Sequence, residues 1–210
     1  MATRGGVRWE TREVGGGRVV YRAAGAGPVV LLVHGPLRSG ARFDDLLPLL
    51  ADGGVRAVAV DLPGFGRSDK PPEGLGFEAL AARLSAIGAA LGPVALALGE
   101  GSGGELAAAA FPAVPVWSIG APSPRPAVLR ALPDPLIRAA VEAWGRLGAP
   151  GLRGTERVEA ALAARSRGTR AAAATWLRSE PLERAPIRRL PRSSSAGVAR
   201  EVLAVLGTRR

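Results

Sequence analysis

The chain has 210 residues, 47% hydrophobic and 22% charged, long enough for one domain with a buried core and too apolar to be disordered. With no Cys and a single His, disulfides, thiolate nucleophiles, Cys-based zinc sites and clustered imidazole ligands are excluded, and no metal or cofactor is expected. The net charge of +10 lies in the second half: residues 1–124 carry 11 basic and 11 acidic side chains, residues 125–210 carry 17 Arg and 7 acids.

Val7–Val14 and Arg18–Ala23 are short extended runs joined by Gly15-Gly16-Gly17, a predicted β-hairpin. Val29–Val33 is apolar on both faces, as a central strand of a covered parallel sheet must be, and it ends at His34-Gly35. Arg42–Ala51 places Phe43, Leu46, Leu47 and Leu50 on a helical stripe. The spacing then predicts a strand over 55–60, a turn-rich loop over 61–69, a helix over 77–91 and a strand over 94–98. The Gly99–Gly104 turn, a helix over 105–111 and a strand over 114–119 follow. Alternation of strand and helix from 29 to 120 is the pattern of a doubly wound, mostly parallel sheet flanked by helices.

Beyond Pro122 the pattern changes. Ala- and Arg-rich helical stretches occupy 126–148 and 156–177, 186–190 hints at a strand, and 198–206 is an amphipathic helix. The expected organisation is one domain over 1–210, with an α/β core at 7–122, a helical insertion at 123–185 and a residual strand and helix at 186–210. The arginines lack interleaved aromatics, so no nucleic-acid signature accompanies the basic half. The first residues lack the apolar stretch of a signal peptide and no run is long enough to span a bilayer, so a cytoplasmic protein without a membrane partner is expected.

Three motifs carry a family resemblance. Val29–Gly35 resembles the strand ending in His-Gly of the α/β-hydrolases. Asp61–Ser68 is similar to their Asp-x-Pro-Gly-x-Gly-x-Ser loop, and strand 94–98 with Gly99–Gly104 looks like their nucleophile elbow. The resemblance implies an α/β-hydrolase fold in which 126–178 corresponds to the variable cap and 186–206 to the final strand and helix. About one β–α unit, with a late strand, is missing.

The catalytic positions depart from the family pattern. With Gly99 and Gly103 as the elbow's flanking glycines, Gly101 stands where the nucleophile belongs and Ser102 in the slot that gives its N–H to the oxyanion hole. In the other frame Ser102 is central, but Glu100 then takes a position that wants a small residue. Among the oxyanion-loop residues Gly35, Pro36 and Ser102, Pro36 occupies a donor's place without an N–H. No His follows the last strand, where the chain reads Leu190–Ser195, and no Gly-x-x-Asp turn precedes it. Asp61 reads as a turn former, Asp134 and Glu142 as surface charges. The expectation is a catalytically impaired member that binds a small apolar ligand or a partner. The alternative is a weak serine esterase using Ser102 with His34 nearby as base.

Overall fold

In the computed structural model the described residues are 6–120, 131–179, 187–191 and 194–207. Seven strands, β1 (Arg8–Val14), β2 (Gly17–Ala24), β3 (Val29–Val33), β4 (Arg56–Val60), β5 (Val94–Glu100), β6 (Val116–Ile119) and β7 (Ile187–Leu190), form one sheet in the order β1-β2-β4-β3-β5-β6-β7. The β1–β2 hairpin joins antiparallel, and every pairing from β4 to β7 is parallel.

The all-apolar run of β3 is fully buried because both faces of the sheet are covered. Leu31 and Val33 face α2 (Phe77–Leu91) and α3 (Ser102–Ala110), packing with Leu84, Ile87 and Leu106. Val30 and Leu32 face α1 (Leu47–Asp52) and α7 (Ser195–Leu206), packing with Leu47, Leu50, Val198 and Val202. β7 docks directly on β6, so the sheet has no gap. It is an edge strand carrying Arg188, which lies over Trp117 at 4.4 Å and pairs with Glu201 at 3.2 Å. Charge on an edge discourages pairing with another chain.

Three predicted helices differ. The stripe at 42–51 becomes a 3-10 turn at Gly40–Phe43 followed by α1, because Ser39 Oγ accepts from the Ala41 N–H and Pro48 suits a helix's first turn. α3 starts at Ser102 rather than Glu105, taking Gly103 and Gly104 into the helix. The single helix predicted over 156–177 is two, α5 (Gly154–Ala163) and α6 (Arg167–Arg178), separated by a turn whose Ala164 and Arg165 carbonyls accept from the Arg170 guanidinium. α4 (Asp134–Arg146) precedes them; the start of its predicted stretch, 126–130, lies outside the described residues. Val141, Ala164, Ala172, Ala173 and Trp176 join these helices to the α2–α3 side of the core. Among the described residues no helix is long and apolar enough to cross a membrane.

Candidate functional site

The turn between β5 and α3 is set by three alternate glycines. A Cβ on Gly99 would collide with the backbone of Gly103 and Gly104, and one on Gly103 with the carbonyls of Val33 and His34. Gly101, between them, has φ 53° and ψ −120°, a conformation L side chains adopt only under strain. Its N–H donates to the Ile119 carbonyl at 3.1 Å, and its carbonyl accepts from Ser118 Oγ at 3.2 Å. The apex of the strand–helix turn is therefore Gly101, and no side chain projects from it.

The two side chains considered for catalysis share no hydrogen bond. Ser102 opens α3 with its hydroxyl buried and without a hydrogen-bond partner. His34, wholly buried, has both ring nitrogens on the main chain: Nδ1 donates to the Gly35 carbonyl at 2.7 Å and Nε2 accepts the Leu62 N–H at 3.0 Å. The tautomer follows from those partners. Burial lowers the His34 pKa from 6.5 to about 4, with Arg38 and Arg22 adding to the effect against the Gly35 hydrogen bond. The ring ties the end of β3 to the loop after β4. Gly35 lies beside the elbow, where a Cβ would sit 3.5 Å from the Glu100 carbonyl. The first N–H beyond Pro36 is that of Leu37, held at φ 61°.

Around Arg22 of β2 lies a charge cluster that the sequence reading did not find. Arg22 of β2 is 2% exposed and pairs with Asp44 at 3.0 Å, Asp61 at 3.2 Å and Glu159 of α5 at 2.7 Å. Arg67 Nε reaches Glu159 at 3.1 Å, and Ser39 Oγ donates to it at 2.6 Å. Trp9 lies against both guanidiniums, 3.8 Å from Arg22 and 4.1 Å from Arg67. Asp61, read as a turn former, does accept the Gly40 and Arg67 N–H groups, but it is also a buried partner of Arg22. Asp134 and Glu142 make exposed or half-buried pairs, with Arg138 and Arg178 and with Arg146 and Arg170. The carboxylates converge on arginine, and among the described residues no group of three or more His, Cys, Asp or Glu is placed to hold a metal ion. One signal was available: Arg22 interrupts the otherwise apolar Val19–Ala24.

The acid response has two opposed parts. Below pH 6.5 the unfolded chain protonates His34 and the fold does not until about pH 4, so this group's contribution to stability is lost as pH falls across that window, at most about 3 kcal/mol. Burial pushes the Asp44 carboxyl up to about 6 despite Arg22, so the fold takes up that proton first and gains stability as pH falls through 6. Burial also raises Asp61 and Glu156. Asp44→Asn removes one compensating group, and the fall in urea midpoint from pH 7 to pH 5 is expected to be larger than in the natural chain. Equal falls would show that Asp44 titrates normally.

On the other side of His34, Phe65 packs edge-on at 5.8 Å between centroids, and Trp176 of α6 packs edge-on against Phe65 at 5.7 Å. The Trp176 Nε1 donor is buried without a partner, like the Ser102 hydroxyl. The Phe65 ring thus joins His34 to Trp176 in one contiguous aromatic wall.

The sequence matches the family model described as "Alpha/beta hydrolase family" over residues 30–208. An uncharacterized hydrolase of Saccharomyces cerevisiae is 48% identical over 58 residues, which are 27% of this chain and 20% of that protein. A haloalkane dehalogenase of Mycobacterium marinum is 49% identical over 45 residues, 21% of this chain and 15% of the relative. The matched segments therefore span a fifth or less of these two curated relatives. Among solved structures, an epoxide hydrolase from an endophytic Streptomyces superposes with a TM-score of 0.65 at 22% identity, covering 98% of this chain and 86% of the other, a likeness of fold.

Proposed function

The chain belongs to the alpha/beta hydrolase family, and we propose that it is a member that binds a small apolar ligand without hydrolysing it. The observation that carries this reading is Gly101 at the apex of the elbow. A nucleophile must stand there to meet a bound carbonyl, and a glycine offers none. Nor is a base at hand. His34 is the chain's one histidine, and a ring whose nitrogens are both engaged and whose pKa is about 4 cannot take a proton from Ser102 at pH 7. Pro36 removes one oxyanion donor, worth about 10²–10³ in rate where such donors have been deleted.

Binding is favoured by the same neighbourhood. A buried donor left unpaired costs about 1–3 kcal/mol, and Ser102 Oγ at the start of α3 and Trp176 Nε1 on the aromatic wall are two such donors. A short ester or alcohol supplies an acceptor and an apolar chain together.

The test has two arms. Hydrolysis of p-nitrophenyl acetate and butyrate is expected at the buffer rate for the natural chain, and no more than about tenfold above it for Gly101→Ser, since a serine without a base is a poor nucleophile. Turnover by the natural chain that disappears in Ser102→Ala would instead establish the esterase alternative. Titration with methyl butyrate and methyl hexanoate is expected to change tryptophan fluorescence in the natural chain and not in Trp176→Phe. A flat titration for both esters would remove the binding reading.

A further inference from the structure

The β1–β2 hairpin, the loop after β4 and helix α2 border a cavity of about 460 Å³ that shares no residue with the elbow or the aromatic wall. Three cations line it, Arg18 of β2, Lys70 of the loop and Arg83 of α2, against one carboxylate, Asp69, so three minus one leaves a charge of +2. Asp69 is engaged by Arg18, whose Nε lies 3.4 Å from it and whose backbone N–H it accepts at 2.9 Å. Lys70 and Arg83 have no carboxylate at ion-pair distance among the described residues. Lys70 Nζ donates to the Gly66 and Ser68 carbonyls at 2.8 and 2.9 Å, and Arg83 Nη1 to the Val14 carbonyl at 2.8 Å. An ammonium has three N–H donors and a guanidinium five, so both cations keep donors to spare. The hairpin glycines let Arg83 come this close: a Cβ on Gly15 would stand 2.9 Å from its Nε, and one on Gly17 3.3 Å from its Nη1. Pro63 and Pro71 supply an apolar wall.

We propose that this cavity binds a small phosphate monoester, its phosphoryl oxygens on Lys70 and Arg83 and its organic group against Pro63 and Pro71. A phosphate monoester carries about −1.5 to −2 at neutral pH, which matches the charge left over in the cavity. A carboxylate would meet half of that charge, and inorganic phosphate would leave the prolines uncovered. The volume falls within the range of small-ligand sites, about 300–1,000 Å³. Burial lowers the Lys70 pKa, with Arg18 acting in the same direction against Asp61 and Asp69, and a bound dianion reverses that cost by attraction. The site stands apart from the elbow and does not rest on the ester-binding reading.

The probe is phenyl phosphate, titrated into the full chain at neutral pH and followed by phosphorus NMR, with inorganic phosphate alongside and phenol followed by proton NMR. Phenyl phosphate is expected to bind with a Kd below about 1 mM, and inorganic phosphate about fivefold more weakly or worse. Lys70→Met and Arg83→Met are each expected to weaken phenyl phosphate about tenfold. Arg83→Met leaves the Lys70 bonds to its own loop in place, so it carries the test should Lys70→Met fold poorly. Asp69→Asn removes the one carboxylate and releases Arg18, and is expected to tighten binding about threefold or more. Lys70 is the chain's only lysine, so its acetylation is read without ambiguity by mass in the tryptic peptide 68–83, and phenyl phosphate is expected to slow it. A Kd above that limit, or equal binding of phenol or inorganic phosphate, would overturn the assignment. So would an affinity unchanged in both Lys70→Met and Arg83→Met, which would mean only diffuse attraction to a basic chain.

Discussion

Arg22→Met is expected to destabilise the protein by about 3–5 kcal/mol, the range for removing one partner from a buried ionic cluster. Methionine nearly fills the volume, so the loss is electrostatic. Asp61 keeps the Gly40 and Arg67 N–H groups and Glu159 keeps Ser39 and Arg67, but their buried charges lose the guanidinium between them. Urea denaturation at pH 7 measures the effect. The deficit is expected to shrink at pH 5, because Asp61, raised by burial, loses the Arg22 charge that opposes the rise and so takes up a proton more readily in the fold than in the unfolded chain. Adding Asp61→Asn and Glu159→Gln to Arg22→Met should recover part of the loss, since a neutral cluster has no orphan charge to bury. A cost below about 1 kcal/mol for Arg22→Met would place the cluster among pairs that contribute little.

Gly103→Ala is the second large effect, and its sign is diagnostic. In a helix interior alanine is favoured over glycine by about 0.8–1 kcal/mol, and Gly103 lies in the first turn of α3. The new Cβ, however, would run into the carbonyls of Val33 and His34, backbone at the centre of the sheet with no room to retreat. Overpacking against a rigid backbone outweighs the propensity gain, and a net loss of about 3 kcal/mol is expected by thermal or urea unfolding. Gly104→Ala meets the Ser118 side chain at 2.6 Å, a softer obstacle, and is expected to cost less. A Gly103→Ala variant as stable as the natural chain would mean that the elbow is not packed as tightly as these contacts require.

These two sites differ in how visible they were beforehand. Glycines at 99, 101 and 103 after an apolar strand state a local requirement, a tight turn between strand and helix, and the positions can be read without knowing what lies opposite. His34 likewise follows its strand directly. The Arg22–Glu159 pair joins residues 137 apart in sequence. No periodicity reports such a partner, because local pattern records only which face of an element is apolar. For α5 even that rule misleads: Val158 and Leu162 look like the buried side, and the structure buries the glutamates instead.

Sequence alone determined the parallel sheet, through strands apolar on both faces, and the absence of a side chain at Gly101. It also limited the chain to one imidazole. Tertiary structure alone decided that this imidazole is spent on the Gly35 carbonyl and the Leu62 amide, that β7 closes directly onto β6, and that α5 is held by carboxylates. Each of those outcomes depends on which distant groups meet once the chain is compact, and burial makes the choice consequential by leaving a charge or donor no water to fall back on.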